Sequence, residues 1–175
     1  MTVKNYKELL KHITTMIFDY DGVFTDGKVI LTESGEQLRT ANVKDGYALQ
    51  LAVKKGYRIA VISGGTSEAI VHRMHGLKIK DVFIRVDHKI KVYHDYLQKH
   101  NLRREEVLFM GDDIPDLQIM KEAGVVICPA DAAEEVKALS HYISHLKGGE
   151  GCVREIVEQV LKVQGNWLND DAFMW

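Results

Sequence analysis

Five short stretches, residues 14–18, 57–62, 82–84, 107–110 and 125–128, are rich in apolar residues without strict polar alternation. A strand of that kind must be covered on both faces. Between them lie amphipathic stretches of helical length, 47–55, 66–75, 89–100 and 116–123, followed by Gly56, Gly76, Asn101 and Gly124. Each of those four residue types suits a left-handed helix cap. Alternating strands and helices predict the α/β class, a three-layer α/β/α Rossmann-like parallel sheet with helices on both faces. The exception is 27–42, where 28–31 and 37–41 flank Glu33-Ser34-Gly35-Glu36. That spacing predicts a small β-hairpin inserted after the first strand.

A chain of 175 residues can close one sizeable core, so a single domain over 1–175 is expected, with a C-terminal segment over about 147–175. The 23 Lys and Arg against 25 Asp and Glu leave a net charge of -2, which removes the electrostatic case for nucleic-acid binding. Apolar runs such as 59–62 and 125–128 are four residues long, against the roughly 20 a membrane-spanning helix needs. The first eleven residues, with Lys4, Lys7, Glu8 and Lys11, lack the apolar centre of a secretory signal, so a cytoplasmic location is expected. Cys128 and Cys152 read as buried thiols in a reducing compartment.

In open α/β sheets, ligands bind at the carboxyl ends of the strands. The first apolar run is followed by Asp19-Tyr20-Asp21-Gly22, the second by Ser63-Gly64-Gly65, and the fourth by Gly111-Asp112-Asp113-Ile114-Pro115-Asp116. Several carboxylates converging on one site repel one another, and a divalent cation with oxygen ligands, Mg²⁺, relieves that repulsion. Lys89 could place a fixed positive charge beside Ser63, a pairing suited to a phosphoryl oxygen.

These motifs, in this order, make the chain similar to the haloacid dehalogenase superfamily of phosphohydrolases. The strings Phe24-Thr25-Asp26-Gly27, Asn42-Val43-Lys44-Asp45-Gly46-Tyr47 and Gly148-Gly149-Glu150-Gly151-Cys152-Val153-Arg154-Glu155 resemble its cap-less branch. That branch contains 3-deoxy-D-manno-octulosonate 8-phosphate (KDO 8-phosphate) phosphatase, which serves lipopolysaccharide synthesis. The resemblance implies a Mg²⁺-dependent phosphatase acting on a small acidic sugar phosphate through an aspartyl-phosphate. Asp19 would be the nucleophile and Asp21 the acid and then base. Mg²⁺ would be held by Asp19, the Asp21 carbonyl and Asp112, with Asp113 and Asp116 behind them. Ser63, Gly64 and Lys89 would hold phosphoryl oxygens. The branch also implies a homotetramer in which Arg73 reaches the substrate of a neighbouring subunit, and a C-terminal segment, hinged at 148–151, that brings Arg154 near the site.

Gly65 departs from the branch, where a larger polar residue often touches the sugar, so a nine-carbon sialic-type acid stays open as substrate. A phospho-acceptor signalling domain has similar groups, but it places its acidic pair on the first strand and its acceptor Asp on a later one. A catalytically silent assembly protein is disfavoured by intact Asp19 and Asp21. Taken singly, Ser63 could be a helix N-cap, Lys89 a surface charge and Asp116 a helix N-cap.

Overall fold

The computed structural model describes residues 5–174, so Lys4 of the N-terminal reading and the outermost ends of the expected domain lie outside the described residues. A short helix α1 (Tyr6–Leu10) leads into β1 (Thr15–Phe18). The hairpin strands β2 (Ile30–Leu31) and β3 (Gln37–Leu38) follow, then α2 (Val43–Lys54), β4 (Arg58–Ile62), α3 (Glu68–Gly76), β5 (Asp81–Phe83) and α4 (Lys89–His100). The second half runs β6 (Val107–Met110), α5 (Leu117–Met120), β7 (Val125–Cys128), α6 (Glu134–Leu139), β8 (Tyr142–Ile143) and α7 (Cys152–Val163). The main sheet has the order β5-β4-β1-β6-β7-β8, with every pair parallel.

Alternation along each strand divides the core in two. Met16 and Phe18 of β1, Ile59 and Val61 of β4, and Leu108 and Met110 of β6 pack on one face with α2, α3 and α7. Ile17, Ala60, Ile62 and Phe109 pack on the other with Tyr93 and Tyr96 of α4, Ile119 of α5 and Val136 of α6. Burial on both faces is why these strands read as continuous apolar runs.

Several boundaries differ from the sequence reading. Helix α2 starts at Val43 rather than 47, because Asn42 Oδ1 accepts from Lys44 N–H at 2.8 Å and caps it. The stretch 116–123 splits into a 3₁₀ turn, Ile114–Asp116, and the short α5. Gly56 and Asn101 take positive φ, but Gly76 stays helical and Lys78 takes the left-handed position instead. Gly124 is set by space rather than φ: a Cβ there would lie 2.5 Å from the Arg104 carbonyl. Strand β8 was not anticipated, being two residues at the sheet edge.

Candidate active site

Phe18 pairs with Val61 on one side and Met110 on the other, so β1, β4 and β6 end within one residue of one another. Asp19, Ser63 and Asp112 therefore leave the sheet along one edge. Asp19 is 7% exposed and Lys89 8%, while Ser63 and Asp116 are fully buried. Lys89, the first residue of α4, turns inward so that its Nζ lies 2.8 Å from Asp19 Oδ1 and 2.8 Å from Asp116 Oδ1. The other oxygen of Asp116 accepts from the Asp112 and Asp113 amides at 3.0 and 3.4 Å. Asp116 thus fixes both the lysine and the acidic loop, and makes no cap bond to α5.

Two carboxylates share one ammonium here, and a third, Asp112, stands beside them. Burial pushes the Asp19 carboxyl up to about 7, with the charge of Asp116 adding and Lys89 opposing. Burial first, then Asp19 and Asp116, push Asp112 up to about 8. For Lys89, burial works to lower the pKa, and the two aspartates outweigh it so that the net shift is upward. Oxygens of Asp19, Asp112 and Asp116 lie within 4.8 Å of one another, and Asp112 Oδ1 is buried without a hydrogen-bond partner. With both Asp116 oxygens engaged, Asp19 and Asp112 are left to face a cation. An all-oxygen, negatively charged donor set with an unsatisfied oxygen fits a hard dication such as Mg²⁺. Gly22 makes this loop possible: at φ +82° a Cβ would fall 1.9 Å from Asp112 Oδ2.

Ser63 Oγ accepts from Gly65 N–H at 3.0 Å, which leaves its own proton to donate. The N-cap of α3 is Ser67, whose side chain accepts from Ala69 N–H, so Ser63 is not needed for that role. Asp19, Asp21, Ser63, Gly64, Gly65 and Lys89 line one cavity of about 700 Å³. Asp21 is held by Arg39, the residue after β3, whose Nε and Nη2 donate to its two carboxylate oxygens at 2.5 and 3.3 Å. The sequence reading missed Arg39, since a single arginine after a hairpin strand carries no spacing that ties it to Asp21.

Other expected residues lie elsewhere. Asp113 is exposed, and its Oδ1 accepts from Ile114 N–H at 2.8 Å, so it caps its own turn. Neither Arg73 nor Arg154 lines the cavity. The guanidinium of Arg154 lies over Trp167 at 4.5 Å and Tyr47 at 5.3 Å, and its Nε donates to Glu158 at 2.8 Å. Arg73 of the same chain fills the space that the missing Cβ of Gly46 leaves, 2.5 Å from where that Cβ would be. Its charge, like that of Arg154, works to lower the pKa of Asp45 against burial, which pushes that carboxyl up to about 6. The 148–151 turn is also no free hinge. A Cβ on Gly148 would meet the Gly22 carbonyl oxygen at 1.9 Å, and Gly149 N–H donates to Val23 O at 3.0 Å. Those glycines serve close packing under the catalytic loop.

A family profile described as haloacid dehalogenase-like hydrolase matches residues 77–156. The 3-deoxy-D-manno-octulosonate 8-phosphate phosphatase of Salmonella typhi is 32% identical over 155 residues, covering 89% of this chain and 82% of that protein. The enzyme of that name from Yersinia pestis superposes with a TM-score of 0.91 at 29% identity, over 93% of this chain and 88% of its own. The Moraxella catarrhalis phosphatase, solved with magnesium, phosphate and KDO, gives 0.89 at 32% identity, over 91% of this chain and 92% of its own. The adjoining strand ends, the Lys89-bridged aspartates and this likeness along nearly the whole chain converge: the protein belongs to the haloacid dehalogenase-like hydrolases, in the family of the 3-deoxy-D-manno-octulosonate 8-phosphate phosphatases.

Proposed function

We propose that the chain is a Mg²⁺-dependent phosphatase that hydrolyses KDO 8-phosphate to KDO and inorganic phosphate, a step in making the lipopolysaccharide precursor. One observation carries the reading: Asp19, Asp21, Ser63 and Lys89 share the wall of one cavity, and Asp112, which keeps an unpartnered oxygen, has a carboxylate oxygen within 4.8 Å of one on Asp19.

Asp19 attacks phosphorus in line, the bond from phosphorus to the sugar oxygen breaks, and Asp21 gives that oxygen its proton. Asp21 then takes a proton from water as the water attacks the aspartyl-phosphate, which frees Asp19 and phosphate. Lys89 and the Ser63 hydroxyl, with the backbone at Gly64, hold the phosphoryl oxygens through both steps. Asp19, Asp112 and the Asp21 carbonyl are the ligands assigned to Mg²⁺, with Asp116 behind them. Bound Mg²⁺ supplies the positive charge that keeps the buried carboxylates ionised and neutralises the phosphate.

The same reading includes a homotetramer in the cytoplasm. The hairpin exposes Val29, Ile30, Leu31 and Leu38, and two strands of two residues need cover from elsewhere to be stable. Arg73 can serve a neighbour's substrate only if assembly draws it from its place beside Gly46. Among the described residues no helix is long and apolar enough to cross a membrane.

Phosphate release measured over a panel of sugar phosphates tests the substrate. KDO 8-phosphate should give the highest kcat/KM. A higher value for a nine-carbon 2-keto-3-deoxy acid 9-phosphate would move the assignment to that substrate, and a higher value for a neutral sugar phosphate would remove it.

A further inference from the structure

One hairpin side chain behaves unlike its neighbours. Ile30 is 60% exposed, Leu31 72% and Leu38 50%, yet the side chain of Arg39 is 12% exposed because it turns in towards Asp21. One planar guanidinium meeting both oxygens of one carboxylate is the arrangement by which arginine recognises carboxylates in general. The carboxylate it holds here is the one assigned to proton transfer, a group that has to be free when the leaving oxygen arrives.

The surroundings leave room for a second carboxylate. Asp21 and Gly65 line the cavity that holds Asp19, and Arg39 and Thr66 line a neighbouring one of about 440 Å³ between the hairpin and the start of α3. The Arg39–Asp21 pair joins the two. A side chain at position 65 would crowd this junction, since a Cβ there lies 3.1 Å from Asp21 Oδ2 and 3.1 Å from Ser63 Oγ. As glycine it supplies no cation and leaves the space open. Other candidates of the same chain are placed elsewhere: Lys89 at Asp19 and Asp116, Arg154 at Glu158 and the Trp167 ring, and Arg73 beside Gly46, outside both cavities. Lys121, the second lysine of the cavity wall, is an exposed point charge without arginine's fork.

We propose that Arg39 is the specificity residue that binds the substrate's carboxylate, exchanging Asp21 for it when the acidic sugar phosphate enters. The phosphate end sits at Asp19, Ser63 and Lys89, the sugar chain passes Gly65, and the acid end reaches the hairpin. The same exchange releases Asp21 towards the leaving oxygen. This inference rests on the proposed function, because a substrate with a carboxylate remote from its phosphate is what gives Arg39 its task.

The test uses the full chain with Arg39→Gln, Arg39→Lys and, as a control on the same hairpin, Lys28→Gln, whose side chain is 84% exposed. For each, kcat and KM are measured on KDO 8-phosphate and on glucose 6-phosphate, an ester without a carboxylate. Arg39→Gln should raise KM for the acidic substrate at least about ten times more than for glucose 6-phosphate, the worth of a charged hydrogen-bonded pair. Arg39→Lys should recover part of that loss, and Lys28→Gln should match the wild type. Equal losses on both substrates would show that Arg39 only orients Asp21, which overturns the inference. A preference for the acid retained in Arg39→Gln overturns it while leaving the proposed function standing. No preference in the wild type overturns both.

Discussion

Two regions of this molecule bury aspartate against cationic neighbours, and only one of them is built for chemistry. Around Asp19, two carboxylates share Lys89 beside a third, burial and mutual repulsion push Asp19 and Asp112 upward, and Asp19 and Lys89 open on a cavity of about 700 Å³. Asp45, in the first turn of α2, is as thoroughly buried at 1% exposed, and its carboxyl is also pushed up, to about 6. Its Oδ1 accepts from Arg154 N–H at 2.7 Å, so a side chain on α2 caps the start of α7. Arg73 and Arg154 stand near it, but Asp45 lines no part of that cavity. A displaced pKa is therefore common to a working site and a structural joint. What separates them is surplus negative charge facing an open volume.

The largest effect should come from the working side. Asp19→Asn removes the proposed nucleophile and metal ligand, and phosphate release should fall by roughly 10³-fold or more. Turnover surviving in that variant would put Asp19 on the same footing as Asp45. Next in size, EDTA should remove the activity and added Mg²⁺ restore it, because Asp19 and Asp112 lack enough positive charge of their own. Undiminished phosphate release in chelated buffer would mean that Lys89 alone neutralises the cluster.

The smallest effect belongs to the joint, and is read in stability. The folded protein favours protonated Asp45, so ionising it costs stability as pH rises from its ordinary value of 3.8 towards about 6. Asparagine keeps an oxygen for Arg154 N–H and carries no such cost. The melting temperature of Asp45→Asn relative to wild type should therefore improve across that window, by an amount worth roughly 2–3 kcal/mol at most, and stay constant above it. A difference that does not change with pH would show that Asp45 ionises without penalty.

Much of the catalytic edge was legible in the sequence because each part is local. A run such as Val107–Met110 states its own burial, and the acidic turn that follows needs no partner to be recognised. The hairpin was legible in place but not in extent, since β2 and β3 are two residues each. A lone strand signal cannot say how far pairing continues without a covering layer. Asp45 lay ahead of the helix expected from 47, and only the earlier start of α2 at Val43 puts it in a first helical turn. Its capping role depends on a residue 109 positions away.

By itself, then, the sequence determined the layers, the order of the strands' functional ends and the residue types gathered there, because hydrophobic period and turn chemistry act over a few residues. The tertiary structure decided which charges meet. Arg39 reaches Asp21 across 18 positions, and Lys89 reaches Asp116 across 27. Arg154 ends over the Trp167 ring and beside Glu158. Long flexible cationic side chains take their partners from whatever the packed backbone brings within a few ångströms, and no spacing along the chain encodes that choice.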